Sequence, residues 1–126
     1  MNEIEQKIAI FTVGGSYLLI LLLGLFFYFY PPKKINGIYG YRTPRSMKNL
    51  ENWHFANKLS AKYMLLNSFM AFLIFMVSFW TLKNSISVDA LILINMGVLC
   101  LSLVAMIPMV ETKLKKFEEK QKRHLY

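Results

Sequence analysis

The residues best suited to binding chemistry lie together in residues 31–62, a polar segment between two long apolar runs. Its first half contains the sequence Asn36-Gly37-Ile38-Tyr39-Gly40-Tyr41-Arg42-Thr43-Pro44. Glycine permits backbone conformations that are closed to other residues, and a proline pushes the preceding threonine towards extended geometry. We therefore predict a tight turn with an aromatic face that presents Arg42.

The guanidinium of Arg42 has two candidate partners. Its planar shape suits bidentate binding of a carboxylate or a phosphate on a specific partner. The same long side chain can instead extend to the phosphates of lipid headgroups. The residue types do not decide between these two interpretations.

The second half of the segment is predicted to form an amphipathic helix. Asn49 or Ser46 is an acceptable N-cap, and no helix breaker follows. Steps of three and four residues place one set of side chains on a single face, namely Leu50, Trp53, Asn57, Ala61 and Met64. Charged residues, Glu51, Lys58 and Lys62, fall on the other face. Such a helix can lie in the headgroup plane and continue into the next apolar run.

Two side chains on the apolar face of this helix have open roles. Trp53 is either an interfacial anchor or a packing partner of the glycine-rich turn. Asn57 needs hydrogen-bond partners if it is buried. Either Arg42 or the backbone of the turn could supply them.

Enzymatic and metal sites are not predicted. The sequence shows no nucleophile with a neighbouring base, no pair of carboxylates and no cluster of metal ligands, so we expect no catalytic residue, metal or cofactor. His54 is interpreted as an exposed histidine, and the only other histidine is His124. Cys100 is the only cysteine, which excludes an intramolecular disulfide.

Three apolar runs flank the polar segment and define the fold class. Hydrophobic residues make up 56% of the 126 residues and charged residues 17%, against about 25% charged in typical globular proteins. Residues 8–30, 63–82 and 90–110 contain no charge, and each run is long enough to cross a hydrocarbon core of about 30 Å. The backbone in such runs must be helical. We predict one all-α integral membrane domain, residues 1–126, with three transmembrane helices.

The distribution of positive charge predicts the orientation. Residues 31–62 contain seven Lys and Arg and the tail, residues 111–126, contains six, against two in the rest of the chain. The loop and the C-terminus are therefore expected in the cytoplasm and the N-terminus outside. The same arrangement explains the net charge of +8 without nucleic acid as a partner.

Polar residues inside the spans are predicted to hold the helices together. The absence of charged side chains there argues against proton relays, voltage sensing and ion-coupled transport. Asn95 is level with Ser78 if the second and third spans are antiparallel, and we expect a hydrogen bond between them. Ser102, seven residues after Asn95, continues the same packing face.

Taken together, these residues resemble the signature of the SdpI immunity protein family. The resemblance rests on Asn36 and Gly37, the run Gly40-Tyr41-Arg42-Thr43-Pro44, Ser46, and then Trp53 and Asn57, and it covers residues 31–110. In this family of small bacterial membrane proteins, an extended Gly-x-Arg-Thr-Pro stretch precedes a helix bearing tryptophan, and two apolar spans follow. The family's named member protects its producer from a secreted killing peptide and recruits a transcriptional repressor to the membrane.

This resemblance implies a multi-pass protein of the bacterial inner membrane that gives immunity to a membrane-active peptide by binding it. The alternative is a membrane adaptor or signalling protein that holds a cytoplasmic regulatory protein on its basic loop. A lipid-active enzyme and a small transporter subunit are further alternatives. The expected partners are the lipid bilayer, a peptide toxin or a regulatory protein, and further copies of the chain.

Overall fold

The computed structural model describes residues 1–123, and these residues contain helices and no strand. The helices are α1 (Glu3–Ala9), a π-helical turn (Ile10–Gly14), α2 (Gly15–Phe29), α3 (Leu50–Leu82) and α4 (Val88–Arg123). Because the first three elements follow one another directly, the fold has three long helices, and each is long and apolar enough to cross a membrane. The prediction of an all-α protein with three helices long and apolar enough to span a membrane is confirmed. His124 lies outside the described residues.

Local sequence sets the ends of the helices. Asn2 caps α1, since its side chain accepts a hydrogen bond from the Glu5 backbone at 2.8 Å and the Glu5 carboxylate accepts one from the Asn2 backbone at 2.7 Å. α2 ends at Phe29, separated by one residue from Pro31-Pro32, and these prolines cannot donate the bonds of a further turn. At α3, the side chain of Asn49 accepts a hydrogen bond from the Asn52 N–H at 2.8 Å.

Helices α3 and α4 are both longer than a membrane is thick. Their 33 and 36 residues correspond to about 50 and 54 Å of helix, whereas the hydrocarbon core is about 30 Å. The extra length of both helices lies at the end of the bundle that carries residues 30–49, which we call the loop end. There the rings of Phe55 and Phe117 stack with centroids 4.3 Å apart. The residues of the tail up to Arg123 therefore continue α4 and pack against α3.

Packing along the bundle falls into two clusters. One joins all three long helices and contains Val13, Tyr17, Ala71, Phe75 and Leu99. The other lies at the loop end and contains Ala56, Met106, Val110 and Leu114. Many large apolar side chains elsewhere point outwards, for example Leu93 and Leu101, which are 71% and 72% exposed. An apolar exterior of this kind is stable in lipid.

Hydrogen bonds inside the spans connect the helices. Ser78 Oγ donates to Asn95 Oδ1 at 3.1 Å, which is the pair expected from the sequence. The backbone carbonyl of Asn95 also accepts a hydrogen bond from the Tyr17 hydroxyl at 3.1 Å. Ser102 takes part through its carbonyl, which accepts from Asn67 Nδ2 at 2.9 Å, while its hydroxyl bonds within α4. These contacts join α2, α3 and α4 at two depths.

The first part of α3 places most of its predicted apolar face against protein. Trp53, Asn57 and Ala61 are buried, Met64 is half-buried, and Leu50 is 52% exposed. The charged residues of the opposite face, Glu51, Lys58 and Lys62, are exposed. The loop and α4 cover the buried face. Contact of this segment with lipid headgroups stays a prediction.

Candidate functional site

The Thr43-Pro44-Arg45-Ser46 sequence folds into a single capped turn. Thr43 Oγ1 accepts a hydrogen bond from the Ser46 N–H at 3.2 Å, and Ser46 Oγ accepts one from the Thr43 N–H at 2.8 Å. This reciprocal pair has the pattern of a capping box. Pro44 occupies the first position of the turn, where its missing N–H has no cost. The Met47 N–H then closes the turn on the Thr43 carbonyl at 3.0 Å.

Asn57 connects this loop to α3. Its Oδ1 accepts a hydrogen bond from the Tyr41 N–H at 2.6 Å, and its Nδ2 donates to the Trp53 carbonyl at 2.8 Å. The partner of Asn57 is therefore the backbone of the turn and not Arg42. Asn57 is 4% exposed and this hydrogen bond is partly buried, so loss of the Asn57 carbonyl would leave the Tyr41 N–H without a partner in a place with limited access to water.

Trp53 lies beneath the loop and is 0% exposed. Its Nε1 donates a hydrogen bond to the Pro32 carbonyl at 2.8 Å, which ties the segment after α2 to α3. Of the two roles considered for Trp53, the structure shows packing against the turn. An interfacial anchor would place the ring at the lipid boundary, and the ring is instead covered by protein.

The two glycines of the motif differ in what they require. Gly40 has φ of +108°, a conformation that L side chains rarely adopt. A Cβ at Gly40 would lie 2.6 Å from Asn57 Oδ1 and 2.9 Å from Pro32 Cγ. Gly37 has no positive φ, and a Cβ there would meet nothing within 4 Å. Of these two glycines, only Gly40 uses the conformational freedom that glycine permits, because the sharp backbone turn and the close contact both occur there.

A charged network holds the loop against α4, and sequence reasoning missed it. Arg45 Nη1 lies 2.6 Å from Glu118 Oε2, and Arg45 Nε lies 3.3 Å from Glu111 Oε2. Asn52 Nδ2 donates to Glu118 Oε1 at 2.8 Å, and Lys48 Nζ lies 3.4 Å from the same oxygen. The Glu118 side chain is 13% exposed. An available signal was the seven-residue spacing of Glu111 and Glu118, which places both carboxylates on one face of a helix.

The environment of this network perturbs two titratable groups. Burial acts to raise the pKa of Glu118, but hydrogen bonds from Asn52, Arg45 and Lys48 outweigh it and hold the pKa below its usual value. Burial raises the pKa of the Tyr41 hydroxyl, and the negative charge of Glu111 raises it further. At neutral pH, Glu118 is thus an acceptor and Tyr41 a donor.

Glu111 collects two hydroxyl donors from the loop. Tyr41 Oη donates to Glu111 Oε1 at 3.1 Å, and Thr43 Oγ1 donates to the same oxygen at 2.7 Å. Tyr41 Oη also lies 3.2 Å from the Ile107 carbonyl oxygen. Tyr41, Thr43 and Arg45 therefore project onto α4, whereas Arg42 is exposed and makes no hydrogen bond or ion pair within residues 1–123.

Asn36 shapes the first half of the loop. Its Oδ1 accepts hydrogen bonds from the Ile38 N–H at 2.9 Å and the Tyr39 N–H at 3.0 Å, and its Nδ2 donates to the Lys34 carbonyl at 3.0 Å. This is an Asx-type turn.

Over residues 1–123, no three His, Cys, Asp or Glu side chains are placed to hold a metal ion.

Most of the loop, α3 and the first part of α4 lie in the part of the chain that a protein-family model matches. The family model of the SdpI/YfhL protein family matches residues 33–110. The chain belongs to the SdpI/YfhL protein family. The resemblance noted in the sequence is thereby confirmed. The matched residues include Gly40, Trp53 and Asn57, whereas Glu111 and Glu118 lie beyond them.

One curated relative in this family is the "Uncharacterized protein YfhL" of Bacillus subtilis (strain 168). It is 46% identical to this chain over 55 residues, which are 44% of this chain and 48% of the relative. The chain thus matches about half the length of this relative. No solved structure matches this chain.

Proposed function

We propose that this SdpI/YfhL family member protects its cell against a membrane-active peptide by binding the peptide, without catalysis. Family membership supports the proposal through the resemblance to immunity proteins. The main structural support is an apolar groove at membrane depth. The orientation assumed is the one predicted from the basic residues, with the N-terminus outside the bacterial inner membrane and the loop end in the cytoplasm.

The groove lies between α2 and α3 and has a volume of about 320 Å³. Its lining consists of Gly14, Tyr17, Leu18, Leu21, Ser68, Phe69 and Phe72. The hydroxyls of Tyr17 and Ser68 are already bonded to the backbone carbonyls of Asn95 and Leu65. An apolar segment can therefore enter the groove without leaving these hydroxyls unpaired.

The π-helical turn contributes to this groove. Gly14 is the last residue of the turn and lines the groove, where it leaves the space that a side chain would fill. π-helical turns within α-helices occur frequently at functional sites. A peptide helix with a large apolar residue facing Gly14 would fit this surface.

The test of this proposal compares two leucine substitutions in neighbouring glycines. A Cβ at Gly14 or at Gly15 would meet nothing within 4 Å, so both Gly14→Leu and Gly15→Leu should insert and fold. Of these two glycines, only Gly14 lines the groove. Each variant would be expressed in a sensitive bacterium at matched membrane level and challenged with a sporulation-delaying-type killing peptide while membrane potential is followed.

We expect the wild type and Gly15→Leu to preserve the membrane potential and Gly14→Leu to lose protection. Protection by both variants would refute binding in the groove. Equal loss in both variants would point to a general defect of the first helix. Failure of the well-expressed wild type against this peptide would refute immunity to it.

Arg42 favours a second candidate function, that of a membrane adaptor. An exposed arginine without a partner in the described residues can bind a carboxylate or phosphate of a soluble protein. Arg42→Glu would then abolish function, while substitutions in the 83–89 connection at the opposite end would not. The reverse pattern is expected for a peptide that arrives from outside.

A further inference from the structure

An open cavity lies where α2 ends and the loop begins, outside the network that fixes the turn. Its volume is about 720 Å³, and its lining includes Tyr30, Lys33, Lys34, Asn36, Ile38 and Tyr39. Because Pro31-Pro32 follows the end of the first apolar run, this cavity is level with the boundary between hydrocarbon and headgroups.

The lining combines free positive charge with exposed apolar groups. Lys33 and Lys34 are exposed, and neither forms an ion pair within residues 1–123, whereas Arg45 and Lys48 are bound to glutamates. Ile38 is 88% exposed in the same loop. In water an isoleucine so exposed gains nothing from its position, but next to a membrane it can contact acyl chains.

The backbone around the cavity is fixed by the rest of the protein. The side chain of Asn36 bonds to the backbone of Lys34, Ile38 and Tyr39. The ring of Tyr39 stacks on Phe27 of α2 with centroids 6.2 Å apart. The loop therefore presents its lysines and its apolar side chains in one arrangement, and little backbone order has to be gained on binding.

We propose that this cavity binds the headgroup of an anionic phospholipid. The ammonium groups of Lys33 and Lys34 would contact the phosphate, and Tyr30 and Ile38 would contact the glycerol and the upper acyl chains. Charge complementarity selects an anionic lipid over a zwitterionic one. Free phosphate would use the lysines but would gain nothing from Ile38.

The test measures dissociation constants of dioleoyl phosphatidylglycerol and dioleoyl phosphatidylcholine for the full chain in neutral detergent, by native mass spectrometry. The double variant Lys33→Gln/Lys34→Gln is compared with Lys62→Gln/Lys115→Gln, which removes the same charge from two exposed lysines outside the cavity. We expect about a 30-fold weaker affinity for phosphatidylglycerol in the first double variant, since two lysines at about 1 kcal/mol each correspond to that factor at 1.36 kcal/mol per tenfold change. The control should change several-fold less.

A third variant separates the lipid from free phosphate. Ile38→Ser should weaken phosphatidylglycerol binding, and inorganic phosphate at millimolar concentration should not displace the lipid from the wild type. Equal losses in the two double variants would overturn the proposal, because they would show only general attraction between charges. Equal wild-type affinity for both lipids, or displacement by phosphate, would overturn it as well.

Discussion

Replacing Gly40 with alanine tests whether the loop is fixed by the contacts seen at its turn. With φ of +108° at this position, an L side chain costs about 1–2 kcal/mol in backbone strain. The new Cβ would lie 2.6 Å from Asn57 Oδ1, and the amide can move away only by giving up the Tyr41 N–H. The Tyr41 N–H is partly buried, and such a donor without a partner costs about 1–3 kcal/mol. The free energy that holds the loop closed should therefore fall by about 2–5 kcal/mol.

Hydrogen exchange reports this change at the loop itself. The Tyr41 amide should exchange at least about 30-fold faster in Gly40→Ala, since 1.36 kcal/mol corresponds to a factor of ten. Fluorescence of Trp53 in a Trp80→Phe background gives a second measurement, because opening would expose a side chain that is now 0% exposed. The spans should remain inserted, since the substitution lies outside them.

Gly37→Ala is the matched control for this prediction. It is the same substitution three residues earlier, at a position without positive φ and without a neighbour within 4 Å of the new Cβ. It should leave the loop unchanged or stabilise it by up to about 1 kcal/mol through the unfolded chain. Equal exchange rates in the two variants would refute the argument, because the geometry at Gly40 would then have no energetic effect.

Three further predictions follow from the charged network and the span contacts. Arg45→Gln should lower the free energy that holds the loop closed by about 1–3 kcal/mol, because it leaves a mostly buried glutamate short of a partner. Arg42→Gln should change the same free energy by less than about 0.5 kcal/mol. Hydrogen exchange of the loop amides compares the two variants, and equal effects would contradict the role of the network. The pKa of Glu118 is lowered in the folded state, so the loop attachment that Glu118 supplies should be complete above about pH 4.5 and be lost as the pH falls through the folded-state pKa. Hydrogen exchange of the loop over a pH series should show this loss in the wild type. If the same pH-dependent loss persists in Glu118→Gln, another group causes it. A double-mutant cycle with Ser78→Ala and Asn95→Ala should give a coupling of about 0.6 kcal/mol in unfolding measurements in detergent, and zero coupling would show that the hydrogen bond does not stabilise the pair.

Contacts between elements close in the chain were predictable from the sequence. The Ser78–Asn95 pair spans 17 residues across a short connection, and that connection fixes which residues of the two antiparallel helices are level. Which of the two arginines, Arg42 or Arg45, forms ion pairs with α4 was not predictable in this way. It depends on contacts across 66 and 73 residues, because the face of α4 that meets the loop is set by packing along the whole helix pair.

The three apolar helices and the family could be recognised in the amino-acid sequence, because both depend on residue types in local order. Hydropathy over some twenty residues is enough to require a membrane helix, and a motif can be recognised without knowing what its side chains contact. Which members of the motif are structural became evident only from the packed helices. Gly40, Trp53 and Asn57 hold the turn, whereas Arg42 faces outwards. A side chain's partner depends on which distant helix lies beside it, and that is settled only when the helices pack.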